Sequence, residues 1–152
     1  MPKISYQKKR ILFLRDLFLE RTDENHPISM DEIVKALDAN GLAADKRTIS
    51  DDIDLLQDMG LDIIQQKMPT TKYYLASRDF EVYELQLLMD CVQTSRFLSD
   101  KKTAQLIGKL STLCSKSEAQ KLRGLISPNH SKSINDKNQY AISTIRQAIL
   151  EN

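Results

Sequence analysis

The first half of the chain contains three stretches with a helical hydrophobic pattern, followed by two stretches with a strand-like one. From Tyr6 to Glu20, apolar residues recur every three or four positions, which is the spacing of a helix with one buried face. The same spacing returns over Met30–Asn40 and Lys46–Met59, so two more helices are predicted. The stretches LDIIQQK and KYYLA flank a short turn at Met68–Thr71, and this arrangement is typical of a β-hairpin.

Residues that begin and end helices stand at these predicted boundaries. Ser29 precedes Glu32 by three positions, which is the S-x-x-E spacing of a capping box at a helix start. Asp45 is a suitable N-cap for the third helix. Gly41 and Gly60 follow the second and third helices, where a left-handed backbone conformation commonly ends a helix. The three helices therefore have defined limits.

The second half of the chain is predicted to be helical. Helical patterns cover Phe80–Leu98, the stretch after the capping residue Ser99, and the stretch after a second capping box that starts at Ser115. The segment 127–137 has the composition of a linker, and a last helix follows over 138–152. The predicted fold class is mainly α with a small β-hairpin.

Overall composition does not point to a binding partner. The 22 basic and 21 acidic residues give a net charge of +1, so any nucleic-acid site depends on local charge. No apolar run approaches the roughly 18 residues of a membrane span, and the polar start lacks a signal peptide, so we expect no membrane contact and a cytoplasmic location. Cys91 and Cys114 lie in apolar helical patterns and are predicted to be buried thiols.

The order of three helices and a hairpin is that of a winged helix-turn-helix, in which the third helix recognises DNA and the hairpin is the wing. The stretch Lys46–Ile53, followed by Leu56 and Gly60, resembles the R-T-I-x-R-D-I-x-x-L-x-x-x-G signature of bacterial winged-helix regulators. These include the group that carries a WYL effector domain and, less closely, the DeoR type. The stretches Glu84–Leu88, Ser95–Ser99 and Leu106–Leu110 look like the helical connector of the WYL group.

This resemblance implies a sequence-specific, DNA-binding transcriptional regulator that works as a homodimer on double-stranded DNA. It divides the chain into a winged helix over 1–78, a helical connector over 79–126, the linker 127–137 and a C-terminal helix over 138–152. In that group a β-rich sensor domain normally follows the connector. We therefore expect an N-terminal fragment, or a member that has lost its sensor, with the effector ligand bound only by the missing domain.

Candidate DNA contacts lie in three places. The first turn of the recognition helix Lys46–Met59 places basic and hydroxyl side chains where base edges are read. The wing and the first helix supply positions that commonly meet phosphates. The predicted contacts are Lys46, Arg47, Thr48 and Ser50 in the recognition helix, Lys67, Thr70, Thr71 and Lys72 in the wing, and Lys8, Lys9 and Arg10 in the first helix.

Acidic residues in the recognition helix keep a second function open. The signature's second arginine is replaced by Asp51, and Asp54 and Asp58 continue an acidic face that would repel phosphate. Arg47 and Thr48 then have an alternative role in finishing the helix start, with Arg47 paired to Asp51. The alternative function is a winged-helix adaptor that binds protein rather than DNA. Asp52 is expected to orient a neighbouring basic side chain or to contact the first helix.

Catalysis is not expected. The two histidines, His26 and His130, lie in a turn and in the linker, and we find no Ser/His/Asp order, glycine-rich phosphate loop or paired carboxylates in apolar surroundings. No metal or cofactor is predicted. The connector's apolar stripe, formed by Leu85, Leu88, Met89 and Val92, is a candidate for dimer or interdomain packing, with an ordinary intramolecular core as the alternative.

Overall fold

The computed structural model describes residues 6–67, 69–125, 144 and 147–149. The chain is mainly helical with a small three-stranded antiparallel sheet, as predicted. Its elements are α1 (Tyr6–Arg21), β1 (Ile28–Ser29), α2 (Met30–Ala39), α3 (Lys46–Asp58), β2 (Ile63–Gln66), β3 (Lys72–Leu75), α4 (Val82–Thr94), α5 (Asp100–Leu110), a 3-10 turn (Ser111–Leu113) and α6 (Lys116–Leu125).

These elements form two compact units. The first contains the described residues up to Asp79 together with Ser115–Ser117. The second contains residues from Phe80 to Cys114 and the described residues from Glu118 onward. The predicted linker 127–137 lies outside the described residues, as does most of the predicted C-terminal helix, of which Thr144 and residues 147–149 are helical. Within the described part of the chain, no helix is long and apolar enough to cross a membrane.

The predicted caps are present in the first unit. The Ser29 amide donates to Glu32 Oε2 over 2.7 Å, and the Glu32 amide donates back to Ser29 Oγ over 3.3 Å, which completes the capping box of α2. Asp45 caps α3 by accepting the Thr48 amide over 2.9 Å. Gly60 follows α3 with φ +97°, a left-handed conformation that side chains with a Cβ rarely adopt.

The hairpin is present, and a third strand joins it. In the sheet order β1–β3–β2, Ile63 pairs with Leu75 and Gln66 with Lys72 across the hairpin. On the other side of β3, Ser29 pairs with Lys72. The sequence pattern does not reveal β1, because a strand of two residues is too short to show a period. This pairing brings the start of α2 beside the wing.

One apolar core holds the first unit together. It combines one face of each helix with inward residues of the hairpin, namely Leu14, Leu17, Phe18, Ile33, Leu37, Leu42, Ile49, Ile53, Leu56, Ile63, Tyr73 and Leu75. The core fixes the rotation of α3, because Ile49, Ile53 and Leu56 all point inward. The opposite side of α3 is thereby presented to solvent.

The second unit has its own smaller core. It contains Leu85, Met89, Ile107, Cys114, Ala119 and Leu122. Helix α4 is shorter than predicted, because the backbone leaves helical geometry at Ser95 with ψ 118°. The prediction of a buried Cys91 is wrong, since the residue lies on the side of α4 away from Leu85 and Met89 and is exposed. Cys114 is buried, as predicted.

Candidate nucleic-acid interface

Helix α3 has a buried face and a charged outward face. Ile49, Asp52, Ile53 and Leu56 are buried on the inner side. With about 3.6 residues per turn, positions 47, 51, 54 and 58 lie on the opposite side of the helix. All four residues there are exposed: Arg47, Asp51, Asp54 and Asp58. The outward face therefore carries one positive charge in the first turn and three negative charges behind it.

The predicted contacts in the first turn of α3 differ in their availability. Lys46 is exposed and forms an ion pair with Asp31, with Nζ 2.7 Å from Oδ1. The Thr48 hydroxyl donates to Asp45 Oδ2 over 2.8 Å, and Ser50 is half-buried. The pKa of Asp45 lies below its usual value, first because the Thr48 amide donates a hydrogen bond to it and then because the Thr48 hydroxyl does so too. Thr48 thus serves the helix start, which is the alternative role that the sequence allowed.

Arg47 is the basic side chain of this turn that stays unengaged. It is exposed and forms no ion pair with any residue in the described ranges, so the predicted pair with Asp51 is not present there. Its guanidinium points away from the core because it stands opposite Ile49 and Ile53 on the helix. This position suits a contact to a groove of DNA or to another polar surface.

Arg10, predicted as a phosphate contact, is instead buried. Its relative exposure is 7%, and its Nε donates to Asp52 Oδ2 over 2.5 Å, with Asp52 itself 3% exposed. The prediction for Arg10 is wrong because this guanidinium neutralises a buried carboxylate between α1 and α3. The expected role of Asp52 is confirmed by the same bond. Lys8 and Lys9, the other predicted contacts of α1, are exposed.

A second contact fixes the start of α1. The hydroxyl of Tyr6 donates to the carbonyl of Ala43 in the turn between α2 and α3 over 3.3 Å. Together with the Arg10–Asp52 pair, it holds the N-terminal part of α1 against the beginning of α3. The exposed Lys8 and Lys9 therefore belong to the helix segment that contacts the α3 region.

The wing presents fewer free charges than the sequence indicated. Lys67 and Thr70 are exposed, whereas Thr71 and Lys72 are half-buried. Lys72 lies near Glu32, whose pKa is lowered first by hydrogen bonds from Ser29 and to a lesser degree by the charge of Lys72. Lys67 is the wing's most accessible cation among the predicted contacts.

Arg78, which follows the wing in the chain, has a structural role. One of its NH2 groups donates to the carbonyls of Leu19 and Thr22, over 3.0 and 2.6 Å. These carbonyls end α1, where a cation is favoured by the helix dipole and by otherwise unpaired backbone groups. This side chain therefore holds the segment after β3 to the end of α1.

A polar cluster that sequence analysis missed lies in the first unit. Ser115 Oγ donates to Asp23 Oδ2 over 2.5 Å, and His26 Nδ1 lies 2.7 Å from Asp23 Oδ1. Ser117 Oγ lies 3.1 Å from His26 Nε2. The sequence did not predict this cluster, because residues separated by about 90 positions meet only in the folded chain. No sequence motif signals this cluster.

Hydrogen bonding decides the charge state of Asp23. Burial raises the pKa of this carboxyl, but hydrogen bonds from Ser115, His26 and the Asn25 amide outweigh burial and hold the pKa below its usual value of 3.8. Asp23 is 4% exposed, so its charge is maintained in surroundings that supply several donors. The carboxylate connects the turn after α1 with Ser115–Ser117.

We expect Asp23 to make the stability of the first unit depend on pH. A carboxyl whose pKa is lower in the folded than in the unfolded state stabilises the fold fully at a pH above its unfolded pKa. This stabilisation is lost as the pH falls through the pKa of the folded state. Asp23→Asn should lower the free energy of unfolding by about 1–3 kcal/mol at pH 7 and flatten its decline below about pH 4. Urea titrations from pH 3 to 7 test this, with the exposed Asp16→Asn as control. Parallel pH curves for Asp23→Asn and the native protein would contradict it.

Comparison with known protein families gives a match over part of the chain. The family model described as "FokI, D3 domain" matches residues 11–68, which run from α1 to the turn after β2. Neither the curated proteins nor the solved structures yield a match. Within the described residues, no group of three or more His, Cys, Asp or Glu side chains is placed to hold a metal ion.

Proposed function

We propose that this chain binds double-stranded DNA through its winged helix, with the first turn of α3 in the major groove. The observation that carries this proposal is Arg47, which is exposed, outward-facing and without an ion pair in the described structure. The match to the FokI, D3 domain family over residues 11–68, a DNA-binding winged-helix-like domain, supports it. The three-helix and hairpin order supports it as well.

The charge distribution limits how α3 meets DNA. Asp51, Asp54 and Asp58 follow Arg47 along the outward face and would repel phosphates on both sides of a groove. A tilted helix that inserts only its N-terminal turn keeps these carboxylates away from the duplex. In this pose Lys46 and Ser50 flank Arg47, and Lys67, Lys8 and Lys9 are the exposed cations available for phosphate contacts.

We further propose that DNA binding serves transcriptional regulation. The support is the signature in Lys46–Ile53, which resembles that of the bacterial WYL-type regulators, and the helical segment after the wing. In such a regulator an effector ligand bound by a separate sensor domain would control the winged helix. The chain itself then supplies operator recognition.

A protein-binding adaptor is the second candidate, and one observation favours it. Three of the four residues on the outward face of α3 are aspartates, a pattern that complements a basic protein surface better than DNA. If the adaptor proposal is correct, neutralising Asp51, Asp54 and Asp58 abolishes partner binding. If the DNA proposal is correct, the same change strengthens binding to any duplex.

Salt dependence separates the two candidates. We expect the full chain to bind a duplex with an affinity that falls steeply with salt, since phosphate contacts release counterions. Lys67→Ala should weaken binding to all sequences alike and reduce the log–log salt slope by about 1. Fluorescence anisotropy from 50 to 300 mM salt measures this, with Lys101→Ala, an exposed lysine of the second unit, as the matched control. An unchanged slope would argue against a wing contact.

We propose that two copies act together, because duplex symmetry favours dimers and a single small interface gives modest affinity. Leu85 and Met89 lie in the core of the second unit, which is the intramolecular alternative that the sequence left open, so the available apolar surface is on the opposite side of α4. There Tyr83 is 60% and Leu87 61% exposed, next to Cys91. A helix that is apolar on both faces is typically covered by a partner.

The dimer predicts a specific cross-link. With Leu87 and Cys91 at a symmetric contact, mild oxidation should join two chains through Cys91, because Cys114 is buried. Leu87→Asp should convert the protein to a monomer in sedimentation velocity and prevent the cross-link. Leu125→Asp, a similarly exposed leucine outside α4, is the control and should leave the dimer intact. A native protein that sediments as a monomer at high micromolar concentration would contradict the dimer.

We propose that the chain has no catalytic function. The Asp23–His26–Ser117 cluster has the spacing of a relay that activates a hydroxyl, so it is the place to test. Its carboxylate is also bonded by Ser115, which favours a role in holding chain segments together. A fluorophosphonate probe should fail to label Ser117, and labelling that is lost in Ser117→Ala would overturn this proposal.

A further inference from the structure

A cavity opens within the second unit, apart from the winged helix. Its volume is about 660 Å³, which falls in the range of small-molecule sites. Helix α5 supplies most of its wall and α6 supplies an arginine on one side. The lining residues are Gln93, Asp100, Thr103, Ala104, Ile107, Gly108 and Arg123. The lining thus combines one acid, one base, an amide, a hydroxyl and a small apolar surface.

Thr103 gives this cavity an unsatisfied polar group. The residue is 4% exposed, and its hydroxyl oxygen is buried without a hydrogen-bond partner among the described residues. Buried hydroxyls nearly always have a partner, and an exception calls for a specific reason. A polar group of a bound molecule can supply the missing bond from the adjacent cavity.

The two charged residues of the lining are available for a ligand. Arg123 donates from Nε to Ser111 Oγ over 3.1 Å, a bond that orients its side chain, and its NH2 groups bond to no described residue. Asp100 lies in the first turn of α5 and forms no ion pair within the described ranges. A guanidinium matches a carboxylate, and a carboxylate matches an ammonium group.

We propose that this cavity binds a small zwitterion, an α-amino acid or a dipeptide. Its carboxylate bonds to Arg123, its ammonium group to Asp100, and an amide or carboxylate oxygen accepts the Thr103 hydroxyl. An apolar side chain of the ligand packs on Ala104 and Ile107, the apolar part of the wall. All residues of this site belong to the second unit, and the proposed DNA contacts belong to the first, so this proposal stands or falls independently of the proposed function.

The chain offers a matched pair of variants. A Cβ placed on Gly108 meets no atom within 4 Å, so Gly108→Leu fills cavity space without a clash at that atom. Gly124 in α6 also has no atom within 4 Å of a Cβ and does not line the cavity, so Gly124→Leu is its control. Both exchanges replace a helical glycine by a better helix former. Thr103→Val removes the hydroxyl while keeping the shape of the side chain.

The test is an NMR titration of the full chain with L-leucine and glycyl-L-leucine, with uncharged N-acetyl-L-leucine amide as the control. With a zwitterion we expect saturable chemical-shift changes of the backbone amides over 100–108 and at Arg123. With N-acetyl-L-leucine amide we expect none. Gly108→Leu should weaken binding about tenfold or more, whereas Gly124→Leu should not change it. Thr103→Val should weaken binding about fivefold to tenfold without lowering the melting temperature.

Three results would overturn the proposal. One is the absence of saturable chemical-shift changes with either zwitterion at ligand concentrations up to about 20 mM, which is near the weak limit of specific small-ligand binding. Another is equal binding of the uncharged amide, which would show that Arg123 and Asp100 take no part. The third is equal binding by Gly108→Leu and Gly124→Leu, which would place the ligand outside this cavity.

Discussion

Replacing Arg10 with methionine should destabilise the first unit by about 3–5 kcal/mol, because the exchange leaves the carboxylate of Asp52 buried and unpaired. Methionine keeps most of the aliphatic contacts of the arginine, so the loss is mainly electrostatic. Asp52 is 3% exposed and cannot reach water without separating α1 from α3. Urea unfolding followed by circular dichroism measures the change.

Two further variants make this expectation specific. Arg10→Met combined with Asp52→Leu removes both charges and should regain most of the lost stability, since an apolar pair can replace a buried ion pair. Arg15→Met lies on the same helix, but its partner Asp16 is exposed, so we expect a loss below about 1 kcal/mol. If Arg10→Met and Arg15→Met were equally stable, the Arg10–Asp52 bond would not hold the helices together.

Arg47→Ala should reduce binding to a preferred DNA sequence by about 1–3 kcal/mol, roughly 5- to 150-fold, if the guanidinium bonds to a base. Binding to random duplexes should fall much less, because only one phosphate contact at most is lost. The preferred sequence is obtained by selection from a random duplex library with the native chain. Anisotropy titrations on selected and random duplexes then give the two losses separately.

Arg47→Lys distinguishes the type of contact. Lysine keeps the charge but cannot form the two parallel hydrogen bonds of a guanidinium, so a base contact is lost and a phosphate contact largely kept. Arg96→Ala, an exposed arginine of the second unit, is the control and should leave binding unchanged. Native-like binding by Arg47→Ala on both duplexes would exclude the proposed groove contact and favour the adaptor.

The sequence predicts the helix starts of the first unit well because they depend on neighbours in the chain. The Ser29–Glu32 capping box and the Asp45 cap are bonds between residues three positions apart, so their spacing alone identifies them. The left-handed Gly60 is local in the same sense. The missing element, β1, depends on pairing with β3, more than 40 residues away, and local pattern carries no sign of it.

The candidate site was predictable only in part, because a sequence shows charge but not exposure. It identified Arg47 and the acidic residues that follow it. The sequence predicted Arg10 as a phosphate contact, yet this side chain neutralises Asp52, and Arg78 after the wing bonds to carbonyls at the end of α1. Both partners are distant in the chain, so whether an arginine is available to DNA was decided by packing.

The sequence by itself determined the fold class, the limits of α2 and α3, and the acidic character of the outward face of α3. These follow from periodicity, capping and composition, which act over a few residues. The tertiary structure decided which charges are free, which side of α4 is exposed, and that Asp23, His26 and Ser117 meet. Those properties depend on contacts between distant segments, which form when apolar faces are buried together and which no local pattern encodes.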